Sequence, residues 1–132
     1  MTKNDLKKYR ALTKERDQIR TMLEEIETAM YYPKGQRLTG MPRSGGGESV
    51  QDRLTSRHVA LRQMYHAKLE EIDAERLRIE RAIASLDPLE RLILRYKYID
   101  GCTWEVICVK LNYGWTQIHE HHNRALRHLK DV

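Results

Sequence analysis

A chain of 132 residues, a third of them charged and none of them Phe, has room for one ordinary domain or two small units and only a modest core. Its net charge of +5 and pI near 9.3 permit a polyanionic partner without requiring one, and the positive excess falls in 31–49 and from 88 onward. No apolar run approaches the ~20 residues that span a bilayer, the N-terminal residues lack a signal peptide's apolar stretch, and the two cysteines, Cys102 and Cys108, form no CxxC pair; a soluble chain in a reducing cytoplasm is expected.

Leu, Ile, Glu, Arg and Lys dominate, Gly and Pro are sparse outside one segment, and no alternating strand pattern appears, so the expected fold is all-α. Residues 4–30 read as one amphipathic helix. Tyr9, Leu12, Ile19, Leu23, Ile26 and Met30 recur at three- and four-residue steps, with Arg16 a polar intruder and Asn4 or Asp5 a candidate cap. Residues 31–49 carry Pro33, Pro42 and five glycines and read as a flexible loop. Residues 50–86 resume the helical pattern through Tyr65, Leu69, Ile72, Ile79, Ile83 and Leu86, with Arg76 as the intruder. Asp73 and Glu80 stand near Arg76 and Arg81 on an outer face. Two such seams form either a hairpin within the chain or a homodimer through the N-terminal helices.

Asp87-Pro88 ends the long helix and marks a domain boundary between 1–87 and 88–132. Three short helical patterns follow. The first carries Leu89, Leu92, Ile93, Tyr96 and Ile99 and closes at Asp100-Gly101. The second is capped by Thr103 and has Val106, Ile107 and Leu111 as its apolar face; the third runs from about Thr116 to Lys130, with Ile118, Ala125, Leu126 and Leu129 inward. A helix-turn-helix needs a small residue where its helices touch, a residue tolerant of positive φ in the turn, and a β-branched residue on the second helix. Cys108, Asn112 and Ile118 meet these needs at that spacing.

Residues 86–130 resemble region 4 of bacterial sigma-70-type factors. The shared features are the opening Leu-x-x-x-Glu-Arg, then Arg95-Tyr96, Asp100-Gly101, the run Thr103 to Ile107, Leu111, Ile118, and the closing Arg124-Ala125-Leu126-x-x-Leu129. The whole layout, with Thr39-Gly40-Met41-Pro42 ahead of that end, resembles phage-encoded late-gene regulators of the ArpU and RinA type. The resemblance implies a transcription regulator, an activator of phage late genes, working in the bacterial host cytoplasm. Cys108 and Asn112 depart from the family's usual Ala and Gly, and His121 occupies a slot that is normally apolar, where it would either loosen the packing or tuck its ring edge against Trp104 or Trp115. No counterpart of sigma regions 2 or 3 is present, so promoter melting is not implied.

By analogy with region 4, the base-contacting residues are Trp115, Thr116, Gln117, His119, Glu120 and Asn123. Asn and Gln can pair with adenine, Glu can accept from cytosine N4, and Thr can touch a thymine methyl. Arg124, Arg127 and Lys130, with Thr103 and Trp104 at the start of the second helix, are the phosphate-contacting candidates. His119, His121, His122 and His128 would raise affinity for DNA as pH falls through ~6.5. They form no metal site, because neither HExxH nor paired CxxC accompanies them. No phosphate loop or nucleophilic triad suggests an enzyme, and no cofactor is expected. The expected partner is double-stranded DNA. The rival reading is an interaction module that docks on RNA polymerase or another regulator with little direct DNA readout.

Overall fold

The computed structural model describes residues 1–32 and 49–130. Most of the loop expected at 31–49 lies outside the described residues. Five α-helices account for nearly all of the described chain: α1 (Lys3–Tyr31), α2 (Val50–Ile83), α3 (Pro88–Leu94), α4 (Trp104–Leu111) and α5 (Trp115–Lys130). A π-helical turn, Arg95–Ile99, continues α3. The fold is all-α, and α1 and α2 form a helical hairpin.

The chain divides into two compact units. One comprises Met1–Lys14 and Glu70–Val132, the other Glu15–Leu69. The long helix ends at Ile83, four residues before the expected Asp87-Pro88; Asp87 is extended and Pro88 opens α3, and the buried core runs across that point.

Within Glu15–Leu69, Lys68 Nζ lies 2.7 Å from Glu15, Arg20 Nη2 donates to Tyr65 Oη at 3.3 Å, and His58 Nε2 lies 3.1 Å from Glu27. The partners rise along α1 as they fall along α2, which makes the pair antiparallel. Ile19, Leu23, Ile26 and Leu61 form its buried core, with Met30, Leu54 and Tyr65 packed on them.

In the other unit α1 begins with a capping box. Thr2 is the cap, and Asp5 Oδ2 accepts from the Thr2 N–H at 2.8 Å while the Asp5 N–H points back to Thr2 Oγ1. The bonds that the Thr2 N–H and the Thr2 hydroxyl donate to the Asp5 carboxyl hold it below the usual carboxylate range. The cap expected at Asn4 or Asp5 is therefore Thr2, because Thr2 alone has its hydroxyl ahead of the first helical turn. Leu6, Tyr9 and Leu12 meet Ile72, Ile79 and Ile83. The polar residue in this part of the α2 seam is Glu75, not Arg76: Glu75 is buried and salt-bridged to Lys8 at 4.0 Å and Arg78 at 3.0 Å, whereas Arg76 is exposed.

The same core takes in Leu86, Leu94, Tyr98, Ile99, Ala125 and Leu129. The base of the hairpin and the C-terminal helices thus share one apolar interior. Polar contacts surround it. Arg95 forks onto Glu80, with Nε to Oε1 at 3.0 Å and Nη2 to Oε2 at 2.7 Å, and holds the Glu80 carboxyl below its ordinary range. Arg76, the neighbour expected for Glu80, adds a weaker attraction. Arg10 Nη1 donates to the Ile99 carbonyl at 3.2 Å and lies against Gly101, whose φ of +71° lets the chain leave the π turn.

The seam assignment separates two neighbouring positions sharply: Ile79 is 1% exposed and Leu77 is 51% exposed. Ile79→Ala is expected to destabilise this unit by about 2–5 kcal/mol and Leu77→Ala by less than about 0.5 kcal/mol, as measured by urea unfolding. Equal losses would overturn the seam.

Candidate nucleic-acid interface

The interface candidate is the pair α4 and α5. Thr103 is extended, and its hydroxyl accepts from the Val106 N–H at 3.3 Å, which caps α4. The helix stops because Asn112 adopts the left-handed conformation, φ 57° and ψ 45°. The Tyr113 N–H then donates to the Cys108 carbonyl at 3.1 Å, closing a Schellman-type end. Gly114 immediately precedes α5, its carbonyl accepting from the Ile118 N–H at 3.0 Å. Gln117 Oε1 accepts from the Gly114 N–H at 3.3 Å. Both sides of the turn are therefore held by hydrogen bonds.

Ile93, Ile107 and Ile118 are fully buried beneath this turn, and Leu89, Tyr96, Cys102, Trp104, Cys108 and Leu111 pack against them. Cys108, Asn112 and Ile118 occupy the roles their spacing predicts. Val106 does not. It was expected on the apolar face with Ile107 and Leu111, but it is exposed beside Val109, and Ile107 is buried as expected.

On α5 the buried stripe is Ile118, His122, Ala125 and Leu129. Ile118 belongs to the core under the turn, and Ala125 and Leu129 to the core shared with the hairpin. His122 sits between them at 3% exposure. Its Nε2 shares a 2.7 Å hydrogen bond with Tyr98 Oη, the two rings stack at 5.8 Å, and its edge meets Trp104 at 4.7 Å. Burial pushes the His122 imidazole down to about 4. The positive charge of Lys3 and smaller contributions from His119 and Lys97 act the same way, against a hydrogen bond with Asn123. Burial also pushes the Tyr98 hydroxyl up to about 12, so the pair is neutral near pH 7.

The inward histidine is thus His122 rather than His121, which meets Tyr113 edge-on at 5.6 Å instead of either tryptophan. The four-histidine account of affinity rising through pH ~6.5 loses one member, since His122 stays neutral there. His128 has a different role: its Nδ1 lies 2.9 and 3.0 Å from the two oxygens of Glu90, a carboxylate 2% exposed. Among the described residues no cluster of His, Cys, Asp or Glu is disposed to hold a metal.

Of the base-contacting candidates, Trp115, Thr116, Gln117, Glu120 and Asn123 are exposed. Thr116, Glu120 and Asn123 lie on one stripe of α5 that continues through Arg127 and Lys130, with Arg124 beside it. Gln117 is partly committed, because its carbonyl oxygen serves the turn. His119 stands apart. It is half-buried, with its ring 4.5 Å from Trp104 and 4.6 Å from Trp115, and its Nε2 is enclosed without a hydrogen-bond partner. Thr103 is exposed and Trp104 half-buried, with Lys97 Nζ 4.8 Å above the indole.

Sequence reasoning missed Tyr98, Lys97 and the Glu90–His128 pair. The one available signal was a polar residue recurring on an apolar stripe, as His122 does. No family model, curated protein or solved structure matches the chain, so its reading rests on its own residues.

The buried histidine sets a pH dependence. Below pH ~6.5 the unfolded chain protonates His122 while the folded chain does not until about 4, so folding releases a proton and stability falls across that window. The loss is on the order of 3 kcal/mol at pH 4 relative to pH 7. His122→Gln is expected to flatten the slope of unfolding midpoint against pH between 6.5 and 4; an unchanged slope would sink the assignment. At the turn, Asn112→Ala should cost about 1 kcal/mol in urea unfolding, with Asn112→Gly near neutral. Similar losses for the two would show that the left-handed turn is not what this position supplies.

Proposed function

We propose that this protein is a sequence-specific double-stranded DNA-binding transcription regulator that reads the major groove with α5. The observation that carries the reading is the exposed stripe of α5, on a helix whose start is held by the Asn112–Gly114 turn. Its first turns present Thr116, Glu120 and Asn123, groups able to discriminate bases, and its last turns present Arg127 and Lys130, with Arg124 adjacent. The charge order suits both roles. Neutral and acidic groups stand where base edges would lie, and cations stand where phosphates would lie. Those cations also complement the negative end of the helix dipole. Thr103 would add a hydroxyl contact to the backbone. The likeness to sigma-70 region 4 and to ArpU- and RinA-type regulators supports a role as a phage late-gene activator in the host cytoplasm, and on this reading the protein is not an enzyme. Homodimerisation would place two copies of α5 on paired half-sites.

A second reading, docking on RNA polymerase or another regulator, is favoured by the outward face of α4. There Val106 is 40% and Val109 82% exposed. An activator can use both surfaces.

The test is a fluorescence-anisotropy titration of duplexes tiled across intergenic DNA beside the protein's own gene, against a scrambled duplex, at two salt concentrations. One tile is expected to bind tightly. Glu120→Ala and Asn123→Ala should each lower discrimination by about 1–3 kcal/mol, and Arg127→Ala should reduce the salt slope by about 0.9 while leaving discrimination intact. Equal, weak, salt-sensitive binding to every duplex, or none, would overturn the reading in favour of protein docking.

A further inference from the structure

His119 was the base-reading candidate whose surroundings fit that role least. A side chain that reads a base by hydrogen bonding needs a free polar atom on the surface. His119 Nε2 is enclosed and has no partner, and the ring lies between two indoles. The indoles come from equivalent places: Trp104 is the first residue of α4 and Trp115 the first residue of α5. The row Trp104–His119–Trp115 therefore ties the starts of the two helices together through tilted ring contacts, with interplanar angles of 47° and 51°. Its inner end is fixed, because Trp104 also meets His122 edge-on and carries Lys97 over its face. Its outer end is Trp115, 52% exposed.

Such an arrangement uses the imidazole as a flat slab. An exposed tryptophan with nothing behind it samples several rotamers, and ordering it on binding costs entropy. A ring 4.6 Å away removes that freedom beforehand. What remains outward is about half of the Trp115 side chain, 52% exposed beside Thr116, at the end of α5 that would enter the groove.

We infer that His119 is a positioning residue that acts through Trp115, holding the indole outward as a preformed contact to duplex DNA. The inference rests on the DNA-binding reading above and moves the contact from the imidazole to the indole.

The distinguishing substitution is His119→Phe, which keeps the slab and deletes the nitrogens. It should retain affinity for the preferred duplex within about twofold, and it should raise the unfolding midpoint by about 2–4 °C because an enclosed, unpaired polar atom is removed. His119→Ala should weaken binding by about three- to tenfold, the worth of an aromatic pair, and Trp115→Ala by at least as much. A second measurement does not depend on DNA. In a Trp104→Phe background Trp115 is the only tryptophan, and its time-resolved anisotropy should show little fast motion. Adding His119→Ala should introduce a large sub-nanosecond component, while adding His119→Phe should not. If His119→Phe loses as much affinity as His119→Ala, the nitrogen is the reader and the inference fails. It fails also if Trp115 moves equally freely with or without the ring behind it. Absence of selective binding by the unmodified protein overturns the DNA reading and the contact assigned to Trp115, while the anisotropy still decides whether His119 holds the indole.

Discussion

The buried stripe of α5 is divided between two cores, and the C-terminal unit depends on that division. Ile118 closes the core under the turn, against Ile93 and Ile107; two turns on, Ala125 and Leu129 enter the core that Leu6, Tyr9, Ile79 and Ile83 build at the base of the hairpin. With both ends of the helix buried, rotation about its axis would expose apolar surface in two places at once, at roughly 25 cal/mol per Å² in each. The direction in which Thr116, Glu120 and Asn123 point is therefore a consequence of packing on the opposite side.

Between the two cores the stripe carries His122 where an aliphatic residue would serve for packing alone. The imidazole is tolerable there because Tyr98 supplies a hydrogen bond and burial keeps the ring neutral. The π-helical turn makes that partner available. Its wider hydrogen bonding, Asp100 N–H to the Arg95 carbonyl at 2.9 Å, accompanies the burial of the adjacent residues Tyr98 and Ile99. The Glu90–His128 pair adds a second polar tie between α3 and α5. It fixes rotational register as well as attraction, because both carboxylate oxygens face one nitrogen.

Where apolar residues recur at heptad spacing, the sequence is enough to read the structure: Ile19, Leu23 and Ile26 of α1 and Ile72, Ile79 and Ile83 of α2 are buried as their periodicity requires. Asn112 was legible for a different reason, since few residues other than glycine accept the left-handed turn. Polar positions on an apolar stripe were not legible. Residues three and four places along a helix lie on either edge of the same seam, and hydropathy cannot choose between Glu75 and Arg76 or between His121 and His122. Partners distant in sequence choose: Lys8 for Glu75, Tyr98 for His122. The π turn shifts the pattern: its extra residue turns Tyr98 and Ile99 inward together, and Leu92, expected inward, is 39% exposed while Leu94 is buried. The surroundings of His119 were not legible for the same reason as those polar positions, since a polar residue on the presumed reading face says nothing of the two indoles beside it.

The balance of charge and geometry on α5 also bears on how such an interface could work. Three cations, Arg124, Arg127 and Lys130, sit on its last turns, and a counterion-release contribution scales with the number of phosphates neutralised. Three contacts support only weak non-specific attraction at physiological salt. If this helix reads DNA, discrimination would then have to come from groups whose geometry is set before binding, because little electrostatic energy is available to order them afterwards. The structure has that character. The turn is hydrogen-bonded on both sides, α5 is buried at both ends, and Trp115 is backed by an aromatic ring. On the DNA-binding reading, rigidity would compensate for sparse charge, and a second half-site or a protein contact through Val106 and Val109 would supply the remaining affinity.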